Sequence, residues 1–169
     1  PTRLMELMWE VSIRKIPVSY AVQELVAGNL YLIDDSFRNN DVVNKFFLEI
    51  CGNVNSVGFT LREMMKLNIL QKYIPEFGAI TGVIRYADFH SFPVDEHTIR
   101  AVESIQELPK YSGEIGNLLN DVFRKIKFPQ LVILALLLHD LGKAEGEEHI
   151  EAGVKIARAI CARLNLDDE

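Results

Sequence analysis

Apolar residues recur along this chain mostly at the three- and four-residue spacing of an α-helix, and no run alternates steadily between apolar and polar positions. The pattern predicts an all-α protein. Proline, glycine and asparagine residues separate the apolar stretches. Predicted helices cover residues 4–11, 20–27, 41–51 (capped by Asn40 or Asp41), 57–67, 76–86, 114–125, 129–142 and 150–164, and a further helix is capped by Ser91 or Asp95 and runs to about 108.

The helix that Pro129 opens is the most apolar of the chain. Its residues 131–138 form an unbroken apolar run, and a helix that is hydrophobic on all sides is expected at the centre of the core. The run is far shorter than the roughly 20 residues that span a membrane, and no charged-then-apolar signal segment opens the chain. We therefore expect a soluble, cytoplasmic protein. The last helix places Val154, Ala157, Cys161 and Leu164 on one stripe.

The composition fits one globular domain with an attached subdomain. Of the 169 residues, 49% are hydrophobic and 25% are charged, which is enough chain to bury a core. The net charge of −6 argues against a protein that follows nucleic-acid phosphates, so no nucleic-acid partner is expected. Cys51 and Cys161 form no CxxC pair, and the expectation is two buried free thiols rather than a zinc or redox motif.

The histidines are unevenly placed. His90, His97, His139 and His149 all lie between residues 90 and 149, and the first 89 residues contain none. Any subdomain boundary is expected near residues 86–91, where the histidine-free part ends. Residues 1–88 would then form an N-terminal helical linker subdomain, and residues 89–169 would carry the chemistry.

The dipeptide His139-Asp140 is the strongest candidate for chemistry. An aspartate at the C-terminal end of a helix faces the negative end of the helix dipole, and Asp140 also follows a run that should be buried. A divalent cation would compensate the negative charge of Asp140, with the carboxylate and the imidazole of His139 as ligands. The alternative is a salt bridge from Asp140 to Lys143 together with a hydrogen bond from His139 to a buried carbonyl.

His97 adds a third donor. It lies on or beside a stripe formed by Val94, Thr98, Ala101 and Ile105, and it is expected to point inward. An inward histidine is either a satisfied core residue or a ligand. Together with His139 and Asp140 it would make a mixed nitrogen and oxygen site, which suits Mn²⁺, Fe²⁺, Zn²⁺ or Mg²⁺ and leaves positions for water and substrate.

These residues resemble a known family. A histidine followed about forty residues later by His-Asp is similar to the H…HD…D motif of the HD superfamily of metal-dependent phosphohydrolases. Further segments are similar to the central helical and HD region of the bifunctional PII uridylyltransferase/uridylyl-removing family: LYLIDDSF at 30–37, YIPEF at 73–77, FHSFPVDEHT at 89–98, LLLHDLGK at 136–143 and EEHIEAG at 147–153. The resemblance implies an HD-domain-like helical bundle, with a partial HD domain at 89–169.

The resemblance also implies roles for single residues. His97, His139 and Asp140 would be ligands of a divalent ion, with Mg²⁺ or Mn²⁺ favoured and Fe²⁺ or Zn²⁺ as alternatives. Asp140 and Lys143 would be catalytic, and Lys143 and His149 would bind phosphate. For Lys143 the alternative is a helix-end residue that offsets the dipole, and for His149 it is a loop or N-cap residue.

The role that the resemblance gives to His90 is open. It matches a histidine that precedes the family's first motif helix, and the structural alternative, a turn residue packed on Phe92, is preferred.

The chain departs from the family pattern at two points. The closing aspartate of H…HD…D is expected beyond Glu169, and Asp167 and Asp168 are poor substitutes in an acidic terminus. The Gly-Ser and Asp-x-Asp signature of the family's nucleotidyltransferase domain is absent from these residues. We therefore expect a fragment of a longer protein that lacks one ligand, with weak or no metal occupancy and little or no activity on its own.

The resemblance implies a function in the nitrogen-sensing response. The full-length protein would hydrolyse the uridylylated PII signal protein to PII and UMP through metal-assisted cleavage of a phosphodiester. One alternative is a catalytically degenerate HD module that serves in regulation or interaction. Another is an HD phosphohydrolase with a different nucleotide specificity.

Overall fold

The computed structural model of the protein describes residues 2–84 and 92–166, without the side chains of 146–148. Every regular element within these ranges is helical, which confirms the predicted all-α fold. Short 3₁₀ segments occur at Leu30–Leu32, Leu108–Lys110 and Leu141–Glu148. The α-helices are α1 (Arg3–Arg14), α2 (Tyr20–Ala27), α3 (Asp35–Arg38), α4 (Asp41–Gly52), α5 (Val57–Lys66), α6 (Ile69–Tyr73), α7 (Pro75–Ala79), α8 (Val94–Glu107), α9 (Glu114–Arg124), α10 (Pro129–Leu138) and α11 (His149–Arg163).

Local capping explains why α4 begins where it does. The side-chain oxygen of Asn40 accepts hydrogen bonds from the backbone N–H groups of Val42 at 3.0 Å and Val43 at 3.2 Å. These bonds satisfy two of the donors that a helix leaves unpaired at its first turn. Of the two predicted caps, Asn40 is therefore the one used, and Asp41 is the first helical residue.

The predicted helix over 76–86 is only partly correct, because only 76–79 of its described residues are helical. Helix α7 ends at Ala79, and the chain turns at Gly82, whose φ of 72° lies in the left-handed region. Glycine adopts this conformation without steric cost, and it stops a right-handed helix. Residues 83 and 84 are not helical, and residues 85 and 86 lie outside the described ranges.

The predicted caps of the next helix also need correction. Helix α8 begins at Val94 with Pro93 before it, and Pro93 provides no side-chain hydrogen bond. Asp95 is not a cap, because it lies within the first turn, where it is buried. Ser91, the other predicted cap, lies outside the described residues.

One hydrophobic core includes side chains from both described ranges. Helix α4 packs against α1 and α10, α5 packs against α8, and α8 packs against α10. The largest fully buried side chains come from the first range and include Met5, Met8, Phe37, Phe47, Tyr73 and Phe77. The predicted boundary between residues 88 and 89 falls in the gap between the described ranges and stays a prediction.

Helix α10 is less enclosed than its composition predicts. Its face with Ile133, Leu134, Leu137 and Leu138 is buried, whereas Leu131 is 41% exposed. The helix also ends at Leu138 rather than at residue 142. The expectation of a helix buried on all sides is therefore wrong, because one side of α10 borders an open groove of about 920 Å³ between α10 and α11.

The same groove changes the expected stripe on α11. Leu164 is buried, but Val154 is 48% exposed, and the buried residue within the helix is Ile160. Cys161 is only partly buried, so the expectation of two buried thiols holds for Cys51 alone. Burial raises the pKa of the Cys51 thiol to about 12. No helix within the described residues is both long and apolar enough to cross a membrane.

Candidate metal centre

The end of α10 places two neighbouring side chains at the candidate site. His139 continues the helical backbone as its C-cap, and Asp140 then departs from it at φ −110° and ψ 4°. The backbone N–H of Lys143 donates to the carbonyl of Asp140 at 3.0 Å and closes a tight turn. Because the polypeptide turns at Asp140, His139 and Asp140 point their polar atoms to the same place although they are adjacent in sequence.

Gly142 allows α11 to begin directly beside this turn. A β-carbon at Gly142 would overlap the carbonyl oxygen of His149 and would lie 2.6 Å from the backbone nitrogen of Gly153. The sequence indicated Gly142 only as a helix terminator, so this role in packing was missed. A side chain at this position would push the first turn of α11 away from the residues that follow Asp140.

We expect Gly142→Ala to lower the free energy of unfolding by about 2–3 kcal/mol, because backbone atoms occupy the space of the new methyl group. In a chain of this size the loss corresponds to a decrease in Tm of roughly 5–10 °C. Differential scanning calorimetry measures it. Gly28→Ala is the matched control, since a β-carbon there would meet no atom closer than 3.6 Å. Equal Tm values for the two variants would contradict the close packing.

Three predicted ligands lie together. His97, His139 and Asp140 each offer one ligand atom, and these atoms lie within 4.8 Å of one another. The Oδ2 atom of Asp140 is 3.2 Å from Nε2 of His139 and 3.9 Å from Nε2 of His97. The two imidazole rings are tilted against each other, with their centroids 5.8 Å apart. Helix α8 thus brings His97 to the end of α10.

This donor set fits a divalent cation. Octahedral Mg²⁺ lies about 2.1 Å from its ligand atoms, so neighbouring ligand atoms on one ion lie about 3 Å apart. The 3.2 Å between Asp140 and His139 is close to that value, and the 3.9 Å between Asp140 and His97 lies between it and the roughly 4.2 Å that separates ligand atoms on opposite sides of the ion. Two imidazole nitrogens and one carboxylate oxygen are ligands that Mn²⁺, Fe²⁺ and Zn²⁺ also accept. The prediction that these three residues bind a metal stays a prediction, and the geometry is compatible with it.

The orientation of His139 supports the same interpretation. Its Nδ1 atom lies 2.7 Å from the carbonyl oxygen of Leu136, which can only accept a hydrogen bond. The proton of a neutral imidazole is therefore on Nδ1, and Nε2 presents a lone pair towards Asp140. A backbone carbonyl that fixes the tautomer in this way is typical of histidines that bind metals. The alternative without a metal also predicts a hydrogen bond from His139 to a carbonyl, but to a buried one, whereas this contact lies at an exposed position.

Asp140 is buried, as its place after the apolar run predicted, and it has a cationic neighbour. The residue is 8% exposed, and the ammonium group of Lys143 donates to Oδ2 at 2.7 Å. The alternative of a salt bridge is therefore present in the structure. The two interpretations are compatible, because an ammonium group held beside the carboxylate is also in place to contact a phosphate there.

The predicted inward orientation of His97 is only partly correct. Its side chain is 39% exposed, and the buried face of α8 is formed by its neighbours Val94, Asp95, Thr98, Ile99 and Val102. His97 thus lies at the edge of the core rather than within it. This position leaves its ring accessible on the side of the site.

The remaining predicted residues are placed differently. His149 begins α11 and lines the groove between α10 and α11, as do His139 and Lys143. His149 thus shares a groove with His139 and Lys143, and its phosphate-binding role stays a prediction. His90, Asp167 and Asp168 lie outside the described residues.

Comparison with known protein families divides the chain into two regions. Residues 1–73 match the family described as "Uridylyltransferase GlnD third domain". Residues 94–169 match the family described as "HD domain". His97, His139 and Asp140 all fall in the second region, and the first region contains helices α1 to α6.

Curated relatives match most of the chain. Proteins named "Bifunctional uridylyltransferase/uridylyl-removing enzyme" are 37% identical in Nitrosococcus oceani (85% of this chain, 16% of that protein), 34% in Methylococcus capsulatus (88% and 17%) and 34% in Ruegeria pomeroyi (84% and 16%). The chain thus spans about one sixth of the length of these relatives. It belongs to the GlnD third-domain family over residues 1–73 and to the HD-domain family over residues 94–169, and it is homologous to the matching region of the bifunctional uridylyltransferase/uridylyl-removing enzymes.

Proposed function

We propose that this chain is the metal-dependent phosphodiesterase part of a uridylyl-removing enzyme. The reaction is hydrolysis of the uridylylated PII signal protein to PII and UMP in the nitrogen-sensing response. The observation that carries the proposal is the convergence of His97, His139 and Asp140, whose ligand atoms lie within 4.8 Å of one another. The names of the relatives specify the removal of uridylyl groups, and the family resemblance implies PII as the substrate.

Three residues of the chain would hold the ion. His97 and His139 supply imidazole nitrogens from two helices, and Asp140 supplies a carboxylate oxygen. Mg²⁺ or Mn²⁺ is the proposed ion, with Fe²⁺ and Zn²⁺ as the alternatives that the nitrogen ligands favour. When bound, a divalent ion supplies Lewis-acid polarisation of a phosphoryl oxygen and makes water more acidic.

The other residues act on the phosphate. Lys143 holds its ammonium group 2.7 Å from Asp140, and it would neutralise the charge that develops on the phosphoryl oxygens. His149 lines the groove that His139 and Lys143 also line, and it would contact the phosphate or orient it. In the balanced reaction, a water molecule adds its hydroxyl group to phosphorus, and its proton goes to the oxygen that leaves with PII.

Lys143→Met is the variant that tests the phosphate role. In the full-length protein we expect hydrolysis of uridylylated PII to decrease about 100-fold, which is the usual effect of removing one charge-stabilising group. Mn²⁺ affinity should be retained, because the variant removes a cation that competes for Asp140. Release of UMP is measured by chromatography, and Mn²⁺ binding by the electron paramagnetic resonance signal of the free ion.

Lys155→Met on the exposed side of α11 is the matched control for this measurement. It removes the same charge from the same protein, at a position that does not line the groove. Wild-type hydrolysis by Lys143→Met would contradict the role of Lys143. A wild-type protein that binds Mn²⁺ but releases no UMP would instead support a degenerate HD module.

A further inference from the structure

One arginine joins the N-terminal helices to the helix that carries His97. The Arg62 side chain on α5 forms a two-pronged contact with Glu103 on α8, with Nε to Oε1 at 2.7 Å and Nη2 to Oε2 at 2.8 Å. The Arg62 and Glu103 side chains are 28% and 33% exposed. Paired hydrogen bonds between a planar guanidinium and a carboxylate restrict both distance and direction. Arg62 therefore holds α8 against α5 in one orientation.

The same guanidinium group also holds Glu96. Nη1 donates to Oε2 of Glu96 at 2.9 Å and Nη2 donates to Oε1 at 3.3 Å. Glu96 and Glu103 are seven residues apart, which places them on one face of α8 two turns apart. Hydrogen bonds from Arg62 hold the pKa of Glu96 below its ordinary value. With a contact at two levels along its axis, α8 can neither rotate nor slide freely.

The backbones of α5 and α8 are close on the same side. The backbone N–H of Gly58 donates to Oε1 of Gln106 at 2.9 Å. A β-carbon at Gly58 would lie 2.6 Å from Cγ of Glu103. The absence of a side chain at Gly58 lets α5 approach α8 until Arg62 reaches both glutamates. The contact between these helices is therefore built from packing as well as from charge.

The contact between α5 and α8 affects the candidate metal site because one predicted ligand lies on α8 and the other two lie at the end of α10. His139 and Asp140 are neighbours at the end of α10, so their separation is set locally. His97 comes from α8, and it directly follows Glu96. The distance of 3.9 Å between Nε2 of His97 and Oδ2 of Asp140 therefore depends on where α8 lies relative to α10. A small rotation of α8 would move His97 away from the other two ligands.

We propose that Arg62 is a positioning residue that fixes His97 at the metal site by holding Glu96 and Glu103. The inference rests on the proposed function, since it takes His97 as a metal ligand. It means that the first family region contributes to the metal affinity of the second, although its described residues supply no ligand to the cluster. Arg62 touches neither ion nor substrate in this role.

The test compares three variants in the full-length protein. Arg62→Met removes the charge and both two-pronged contacts, and Arg62→Lys keeps the charge but loses the planar fork. Arg100→Met is the matched control, because Arg100 also donates to Glu96, at 2.6 Å, but lies on α8 itself and forms no link to α5. Mn²⁺ affinity is measured by electron paramagnetic resonance well below the Tm of each variant.

We expect Arg62→Met to raise the Kd for Mn²⁺ about tenfold, at the low end of the effects of residues that support metal ligands. Arg62→Lys should raise it less, and Arg100→Met should leave it within about twofold of wild type, as expected of an exposed position. In the metal-free protein, nitrogen spectra of labelled histidines should show a change at His97 in Arg62→Met. If Arg62→Met does not fold, Arg62→Lys and Glu96→Gln provide the same comparison.

A folded Arg62→Met protein with wild-type Mn²⁺ affinity would overturn the positioning role and leave the proposed function intact. A wild-type protein that binds Mn²⁺ no better than His97→Ala would overturn the proposed function, and the positioning role with it. A purely structural role for Arg62 would lower Tm without a change in Kd for the folded protein. Failure of the positioning role is therefore distinguishable from failure of the proposed function.

Discussion

Replacement of Asp140 by asparagine is expected to abolish Mn²⁺ binding and phosphodiester hydrolysis in the full-length protein. The Oδ2 atom of Asp140 is at the centre of the site, 2.7 Å from Nζ of Lys143 and 3.2 Å and 3.9 Å from the Nε2 atoms of His139 and His97. Loss of the only carboxylate of this cluster should weaken Mn²⁺ binding at least about 100-fold. Hydrolysis should decrease at least as much, because the reaction depends on the bound ion.

The effect on stability separates this prediction from simple misfolding. Asparagine has nearly the same shape as aspartate, but it removes the negative charge that contacts the ammonium group of Lys143 at 2.7 Å. A destabilisation of about 1–3 kcal/mol is expected from the loss of such a contact. Thermal unfolding in the absence of metal measures it. Asp121→Asn on the exposed side of α9 is the control, and wild-type Mn²⁺ affinity in Asp140→Asn would refute the metal site.

The features of the candidate site that depend on neighbouring residues in the sequence were predictable. A buried aspartate was expected from an acidic residue after eight apolar ones, and Asp140 is 8% exposed. The salt bridge from Lys143 to Asp140 is also expected and is present, whereas the carbonyl that His139 contacts is not the buried one expected. The meeting of His97 with Asp140 was suggested by the resemblance to a motif, since helical periodicity places His97 on a face but does not say what that face meets.

Interactions between distant segments were not predictable in this way. Arg62 and Glu103 are 41 residues apart, and nothing in the sequence around either residue indicates the other. Gly142 is a helix terminator by sequence, and its close approach to Gly153 exists only in the folded chain. The same holds for the fold. The cap at Asn40 is a local feature and was predicted, whereas the exposure of Leu131 depends on what packs against α10 and was not.

Replacement of Arg163 by alanine should destabilise the protein more than replacement of any other charged residue of α11. Nη1 of Arg163 donates to the carbonyl of Tyr73 at 3.0 Å and to that of Arg38 at 3.4 Å. Its guanidinium carbon also lies 4.6 Å from the centre of the Tyr73 ring. Burial raises the pKa of Tyr73 and lowers the pKa of Arg163, as expected of polar groups in the interior.

The neighbouring hydrogen bonds make this contact part of a network. Asn44 donates to the carbonyl of Arg163 at 2.7 Å and accepts from the hydroxyl of Tyr73 at 2.7 Å. The last turn of α11 is thereby tied to α4 and α6, which belong to the first family region. Arg163→Ala removes the side-chain contacts and leaves buried carbonyl groups with fewer donors, so a loss of about 2–4 kcal/mol is expected.

In a chain of this size the loss corresponds to a decrease in Tm of roughly 5–12 °C. Calorimetry of this chain checks it, with Arg158→Ala at an exposed position of α11 as the matched control. The control should stay within about 0.5 kcal/mol of wild type. The variant Tyr73→Phe tests the network, since the effects of Tyr73→Phe and Arg163→Ala should not add if the groups act together. Equal Tm values for Arg163→Ala and Arg158→Ala would show that the end of α11 is held by its apolar residues alone.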